Sequence, residues 1–351
     1  MPRSQFTTEL PSLQYAWDNS SLEPFKACRR KYYYNMILMR VPSNTAPPLV
    51  WGGLYASAQE KFDKGYAEHG DFDRAQRDAV RWALQESGKR EPGFTCDDPE
   101  CGTWQSGTIA DYEGVPPNCP SCSEPMLSTS HWVPWTSDDN RRSRFTLVRS
   151  IVWYTEQFHP EQDPLETLIL PDGSPAIELS FQISLGITTP FGQDYLWCGH
   201  MDKMARLPEG GVYVQERKHT VTTLNPNYFD RFSPNGQISG YNFAGEVLFG
   251  ETPKGVIVDA TQVAVGFTRF LRGYAHRTKS QIKEWLHSTL YHIRLAEECA
   301  KHDDWPMNDA SCFMYGGCPY REICNKDESV RDRFLESNFK ERDWNPLEVR
   351  E

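Results

Sequence analysis

"LWCGHMDKMARLPEGGVYVQERKHT", residues 196–220, is two β-rich runs around the turn signal Pro208-Glu209-Gly210-Gly211. A turn centred on Glu209 sets Asp202 opposite Glu216. Directly opposed side chains have Cβ atoms about 4.5–5.5 Å apart, close enough to share a divalent cation. Lys218 lies two residues beyond Glu216 and points to the same face. A one-residue slip would scatter the three groups over both faces, so the register carries the reading. Two carboxylates this close repel unless a cation intervenes, and oxygen-only ligands suit Mg²⁺ or Mn²⁺. Such an ion acidifies water and neutralises charge at a phosphoryl centre, and a neighbouring lysine assists. The plainer alternative is a surface hairpin with a cross-strand ion pair.

The surroundings are those of an α/β protein. The chain has 351 residues, 38% hydrophobic and 24% charged, with 11 Trp, 16 Tyr and 18 Phe, enough for a large core. No run reaches the ~18 apolar residues that span a bilayer. The start, MPRSQFTTELPS, has no apolar leader run, so a cytoplasmic, non-membrane protein is expected. The net charge of −11 argues against nonspecific coating of nucleic acid, though not against a local basic groove. Periodicity predicts helices at 21–39, 51–68, 71–87, 141–158, 235–249 and 278–301. Strands are predicted at 176–187, 195–206, 212–220 and 255–265. Four segments follow: a helical region 1–90, an insertion 91–130, a core 131–305 and a cysteine tail 306–351.

Ten cysteines without a secretory signal point to metal rather than disulfides. Cys96 and Cys101 ("CDDPECG") and Cys119 and Cys122 ("CPSC") are two knuckle-like pairs with seventeen residues between them. Four thiolates so spaced suit a tetrahedral Zn²⁺ stapling a ribbon, the alternative being a redox pair plus free thiols. Such a ribbon offers a surface for DNA or a protein partner. Cys312, Cys318 and Cys324 ("CFMYGGCPYREIC") are spaced too widely for an ordinary zinc knuckle and leave a fourth ligand unfilled. A second zinc site or three buried structural thiols are the alternatives. Cys198 and Cys299 read as core thiols.

"GHMDKM" followed by "VYVQERKHT" resembles the Gly-x-x-Asp and Glu-x-Lys core of the PD-(D/E)XK nuclease superfamily, in its RecB-like branch. That branch adds Gln-x-x-x-Tyr on the next helix, matched by Gln237 and Tyr241 in "NGQISGYNFAGEVLFG". The resemblance implies a restriction-endonuclease-like core, with a central mixed sheet flanked by helices. It implies metal-dependent hydrolysis of DNA, as an exonuclease on ends or single strands, in recombination, repair, phage replication or defence. Asp202, Glu216 and the main-chain carbonyl of Arg217 would hold the ion. Glu178 in "AIELSF" and Glu60 are candidate accessory ligands. "FKACRRKYYY" resembles the entry segment of AddB-type and CRISPR-associated exonucleases of this branch. In those, a first cysteine and a C-terminal trio hold a [4Fe–4S] cluster; here they would be Cys28 with Cys312, Cys318 and Cys324, clasping the two chain ends. Arg29, Arg30 and Lys31 would then lie beside the DNA. The histidine expected on the early helix is absent: "WGGLYASAQEKF" has Ala56 or Ser57 there. A DNA-binding or scaffold protein with weak or lost cleavage is therefore the second expectation.

Overall fold

The structure, a computed structural model, describes residue 6, residues 13–250 and residues 252–349. The stretch MPRSQFTTELPS lies outside the described residues apart from Phe6. The chain divides into two compact units, 1–46 with 158–262 and 269–351, and 47–157 with 263–268.

The first unit holds a seven-stranded mixed sheet. Its strands are β1 (Ala16–Trp17), β2 (Glu166–Thr167), β3 (Ile177–Thr188), β4 (Asp194–Arg206), β5 (Val212–Thr220), β6 (Gly255–Val263) and β7 (Thr268–Ala275). The order is β1-β4-β5-β6-β7, with β2 and β3 paired to β4. β5 and β6 run parallel, whereas β3, β4 and β5 are antiparallel neighbours. β6 is buried at every position, as a central strand covered on both faces must be.

The hairpin register is the one its turn demands. Lys203 pairs with Gln215, Met204 with Val214, Ala205 with Tyr213 and Arg206 with Val212. The ladder stops there, one step before Asp202 and Glu216. Beyond it β4 pairs with β3 on one edge, while its opposite edge meets β1 only at Leu196 and Trp197. The β4–β5 seam therefore opens beside Cys198–Asp202. Arg217 N–H, which loses a strand carbonyl at the split, donates to Asp202 Oδ2 at 2.7 Å.

Four helices of this unit matter for the site: α1 (Asn19–Ala27), α2 (Arg29–Tyr32), α3 (Gly236–Phe249) and α4 (Lys279–His302). Leu22 and Phe25 of α1, Ile238 and Ala244 of α3, and Trp285 and Ile293 of α4 share one apolar core with the sheet. Asp18 caps α1, Asn235 caps α3 and Thr278 caps α4, each side chain accepting a first-turn N–H. The single helix expected over 21–39 is broken. α1 ends at Ala27, Cys28 is extended (φ −165°, ψ 118°), and α2 then runs into a π-helical turn at Tyr33–Ile37.

That break is where the chain ends meet. Ala27 O accepts from Asn308 Nδ2 at 2.8 Å and Ser311 Oγ at 2.7 Å. Arg30 donates its N–H to Pro306 O at 3.2 Å and its Nε–H to Trp305 O at 2.6 Å. Further along, Arg40–Pro42 pairs antiparallel with Phe339–Glu341.

In the second unit, helices Pro47–His69, Phe72–Glu86 and Arg144–Gln157 pack through Trp51, Tyr55, Ala79, Leu147 and Ile151. It also contains a three-stranded antiparallel sheet, with Gly88–Cys96 between Trp104–Ser106 and Met126–Pro134. No helix among the described residues is long and apolar enough to cross a membrane.

Candidate active site

The open seam is the mouth of a cavity of about 220 Å³ lined by Asp18, His200, Asp202, Glu216, Gln237 and Tyr241. Asp202 comes from β4, Glu216 and Lys218 from one face of β5, and Gln237 and Tyr241 from one face of α3. Period two on the strand and spacing four on the helix bring five side chains together. Lys218 Nζ donates to Glu216 Oε1 and, at 2.9 Å, to Gln237 Oε1. Gln237 Nε2 in turn donates to Tyr241 Oη at 2.9 Å. The result is one contact chain, Glu216–Lys218–Gln237–Tyr241, facing Asp202.

Its electrostatics are strained by burial. Glu216 is 3% exposed, and desolvation pushes its carboxyl up to about 7 against the pull of Lys218, with Asp202 adding to the rise. Desolvation works against the Lys218 ammonium, but Glu216 and Asp202 outweigh it and its pKa is raised. Burial raises the Tyr241 phenol well above its ordinary value. Glu216 Oε2 is buried without a hydrogen-bond partner among the described residues. An orphan carboxylate oxygen facing a second carboxylate is the donor set a hard divalent cation would satisfy.

Other expected residues fall as follows. Glu178 is buried at φ +52°, in the left-handed region, and interrupts the β3–β4 ladder between Ile177↔Lys203 and Leu179↔Met201. It thus stands opposite Asp202 in register. Glu60 belongs to the second unit and pairs with Lys64 at 2.8 Å. His200 lines the cavity with Nδ1 2.9 Å from Ser180 Oγ. Cys198 and Cys299 are buried, as expected of core thiols.

The sequence did not single out Asp18, Tyr228 or Arg231. Asp18 caps α1 and lines the same cavity, and the Asp-x-x-Ser capping pattern was its only local signal. Tyr228 lies on the 3₁₀ segment Pro226–Phe232. Burial raises its phenol, while Arg231 and Lys218 pull the other way. Arg231 stacks on the Tyr228 ring at 4.3 Å.

Four of the ten cysteines gather into one group. The ligand atoms of Cys96, Cys101, Cys119 and Cys122 all lie within 4.8 Å of one another, so the four form a group able to hold a metal ion. Cys96 Sγ is 3.4 Å from Cys122 Sγ, and Cys101 Sγ is 3.6 Å from Cys119 Sγ. Cys96 is pushed up to about 12, by burial above all. Cys119 is brought down to about 6, its hydrogen bonds from Ser121 and Cys122 prevailing over burial. A set in which one thiol ionises early fits cation capture.

Cys28 of the chain-end joint accepts the Asn308 N–H at 3.3 Å. Burial raises Cys318 and Cys324, and in both cases Cys28 and Cys312 add to the rise, so these four thiols share one electrostatic neighbourhood. Lys31 eases ionisation of Cys318 and Arg30 that of Cys324. Arg29 sits over the Phe25 ring at 5.6 Å. Of the basic triplet, Arg30 is bonded into the joint, and Arg30 and Lys31 act on the trio's thiols.

No family model matches the chain, and no curated protein matches it. Among solved structures, one from Eubacterium rectale carries the name "Putative exonuclease"; identity is 12% over 90% of this chain and 91% of that one, with a TM-score of 0.42. Another, named SSO0001, is 16% identical over 42% of this chain and 60% of its own, with a TM-score of 0.23. Both scores fall below 0.5, so neither likeness bears on function. What the chain presents on its own residues is a mixed α/β fold with a carboxylate–lysine cavity at a split strand seam and a four-cysteine metal-binding group.

Proposed function

We propose that the chain is a metal-dependent deoxyribonuclease of the PD-(D/E)XK superfamily, RecB-like branch, hydrolysing phosphodiester bonds at DNA ends or in single strands. The observation that carries this reading is the Glu216–Lys218–Gln237–Tyr241 contact chain facing Asp202 across one cavity. Bound by Asp202, Glu216 and the Arg217 carbonyl, with Glu178 in reserve, Mg²⁺ or Mn²⁺ would supply Lewis acidity and charge neutralisation. The protein's own groups do the positioning. Lys218 has three N–H donors, two of them fixed by Glu216 and Gln237, which leaves the third to meet a phosphate oxygen or orient a water. Gln237 and Tyr241 hold the ammonium in that pose.

The same reading assigns Cys28, Cys312, Cys318 and Cys324 to a [4Fe–4S] cluster and Cys96, Cys101, Cys119 and Cys122 to Zn²⁺. The rise that Cys28 and Cys312 add to Cys318 and Cys324, and the close sulfurs of the second four, support it. Arg30 and Lys31 beside the first group would offset cluster charge.

A second reading, a DNA-binding scaffold with lost cleavage, is favoured by Ala56 and Ser57 at the expected histidine position. Incubating end-labelled single-stranded DNA with Mn²⁺ decides between them. The wild-type chain should shorten it, and Lys218→Ala should do so about 100-fold more slowly while still binding. If both bind and neither cuts, the scaffold reading replaces the enzyme.

A further inference from the structure

The helix Phe72–Glu86 of the second unit buries Ala75, Ala79 and Ala83. Its other side is not an ordinary solvated face. Arg77, Val80, Arg81 and Leu84 follow the spacing i, i+3, i+4, i+7, which sets them in one stripe. With Gln85, and with Trp132 of the strand Met126–Pro134, this stripe lines an open groove of about 490 Å³.

Trp132 is 39% exposed, and so is Leu84. The indole is nevertheless held in one pose. The Arg144 guanidinium lies 4.6 Å from its ring centroid. Its Nε1–H donates to Gln85 O at 3.3 Å. Gly88 lets the ring lie against bare backbone, because a Cβ there would collide with it. Arg144 is itself spent on the joint, donating to Ser87 Oγ at 2.9 Å and to Leu84 O at 3.2 Å. A large aromatic fixed this way while facing solvent loses little side-chain entropy when a partner covers it, the property of an interface anchor.

The cations beside the anchor are available. Arg77 is exposed and has no carboxylate or hydrogen-bond partner among the described residues. Arg81, its side chain 68% exposed, reaches Asp78 only at 3.5 Å, and Asp78 also faces Arg74 at 3.9 Å. Val80, Leu84 and Trp132 thus make an apolar floor, with two guanidinium groups on the same stripe.

We infer that this groove docks a protein partner through an acidic peptide segment, which lays a leucine or aromatic side chain on Trp132 and Leu84 and sets carboxylates against Arg77 and Arg81. Charge complementarity names the acidic residues, and the fixed, half-covered indole names the apolar one. Nucleic acid fits the groove less well. Asp78 lies on the same helix beside the two arginines and repels a phosphate track, and Val80 and Leu84 offer a phosphodiester nothing. The docking is independent of any activity toward DNA.

A phage-displayed library of random twelve-residue peptides, panned on the full chain, supplies the probe. Selected peptides should carry aspartate or glutamate around a leucine, phenylalanine or tryptophan. The strongest, synthesised with fluorescein and titrated by anisotropy, should bind Arg77→Glu about fivefold more weakly than wild type. Trp132→Ala should weaken it about 30-fold, as the loss of an anchor does. Arg77 and Arg81 are exposed, so reversing their charge leaves the fold intact, and Arg81→Glu repeats the test if Trp132→Ala disturbs the sheet. Added salt should weaken wild-type binding more than that of Arg77→Glu. A library that enriches nothing, or enriches neutral or basic peptides, overturns the assignment. So do peptides that bind Arg77→Glu and Arg81→Glu as tightly as wild type. If the oligonucleotide dT15 displaces the peptide and itself binds Arg77→Glu more weakly, the groove is a nucleic-acid contact and the protein partner is excluded.

Discussion

Glu216 sets the pH behaviour of the site. Burial pushes its carboxyl up to about 7 from an ordinary value of 4.5. Between those values the native state keeps a proton that the unfolded chain has released. Stability therefore falls as pH rises through this window, by about 3 kcal/mol in total for the metal-free protein. Glu216→Gln removes the titration. The melting temperature of metal-free wild type should drop more steeply from pH 4.5 to 7 than that of Glu216→Gln, and Mn²⁺ at pH 7.5 should restore only the wild type. Parallel pH profiles would refute the role given to burial here. The four residues of the contact chain and Asp202 opposite them were legible because strand alternation and helical spacing are local rules. The turn at Glu209 fixed the remaining unknown, the register, and four cross-strand pairs bear it out. Tyr228 and Arg231 were not legible, because Tyr228 acts on Lys218 only through tertiary packing.

At the scale of elements, the strands at 177–188, 194–206 and 212–220 lie within one residue of expectation, and so does the helix at 236–249. Their signals are periodic and their ends carry caps or glycine turns. The run at 21–39 misled because its apolar spacing passes unbroken through Cys28. The break arises from long-range partners: Asn308 and Ser311 take the Ala27 carbonyl, and Asn308 N–H takes the Cys28 sulfur. The cysteine ribbon depends on its metal-binding group in a different way. Its small apolar cluster is Phe94, Cys96, Cys119 and Met126, too few side chains to hold a sheet alone. Cys119→Ser should release about one zinc per chain on metal analysis and open the segment 96–122 to protease. A ribbon that keeps its zinc and its protease resistance would exclude four-thiolate ligation.

Across the first unit, the proposed reading gives the chain ends two separable ties. One is hydrogen bonding, with Arg30 to Trp305 and Pro306, Arg342 to Asn35, and the strand pair Arg40–Pro42 with Phe339–Glu341. The other is the set of four thiols, where Cys28 belongs to the N-terminal side and the trio to the C-terminal side. The first device is in place without any cluster, so loss of the cluster should loosen the joint rather than unfold the unit. A four-cysteine iron–sulfur clasp predicts a brown protein with about four irons per chain when purified anaerobically. Cys28→Ser should bleach the visible band and lower the melting temperature, because a cross-link between segments some 280 residues apart restrains the unfolded chain strongly. Arg30→Ala should lower stability by losing the Trp305 bond yet leave the iron in place, since arginine is no ligand. A Cys28→Ser protein that stays brown would remove the cluster assignment, and an Arg30→Ala protein that loses its iron would make hydrogen bonding, not the thiols, the part that closes the clasp.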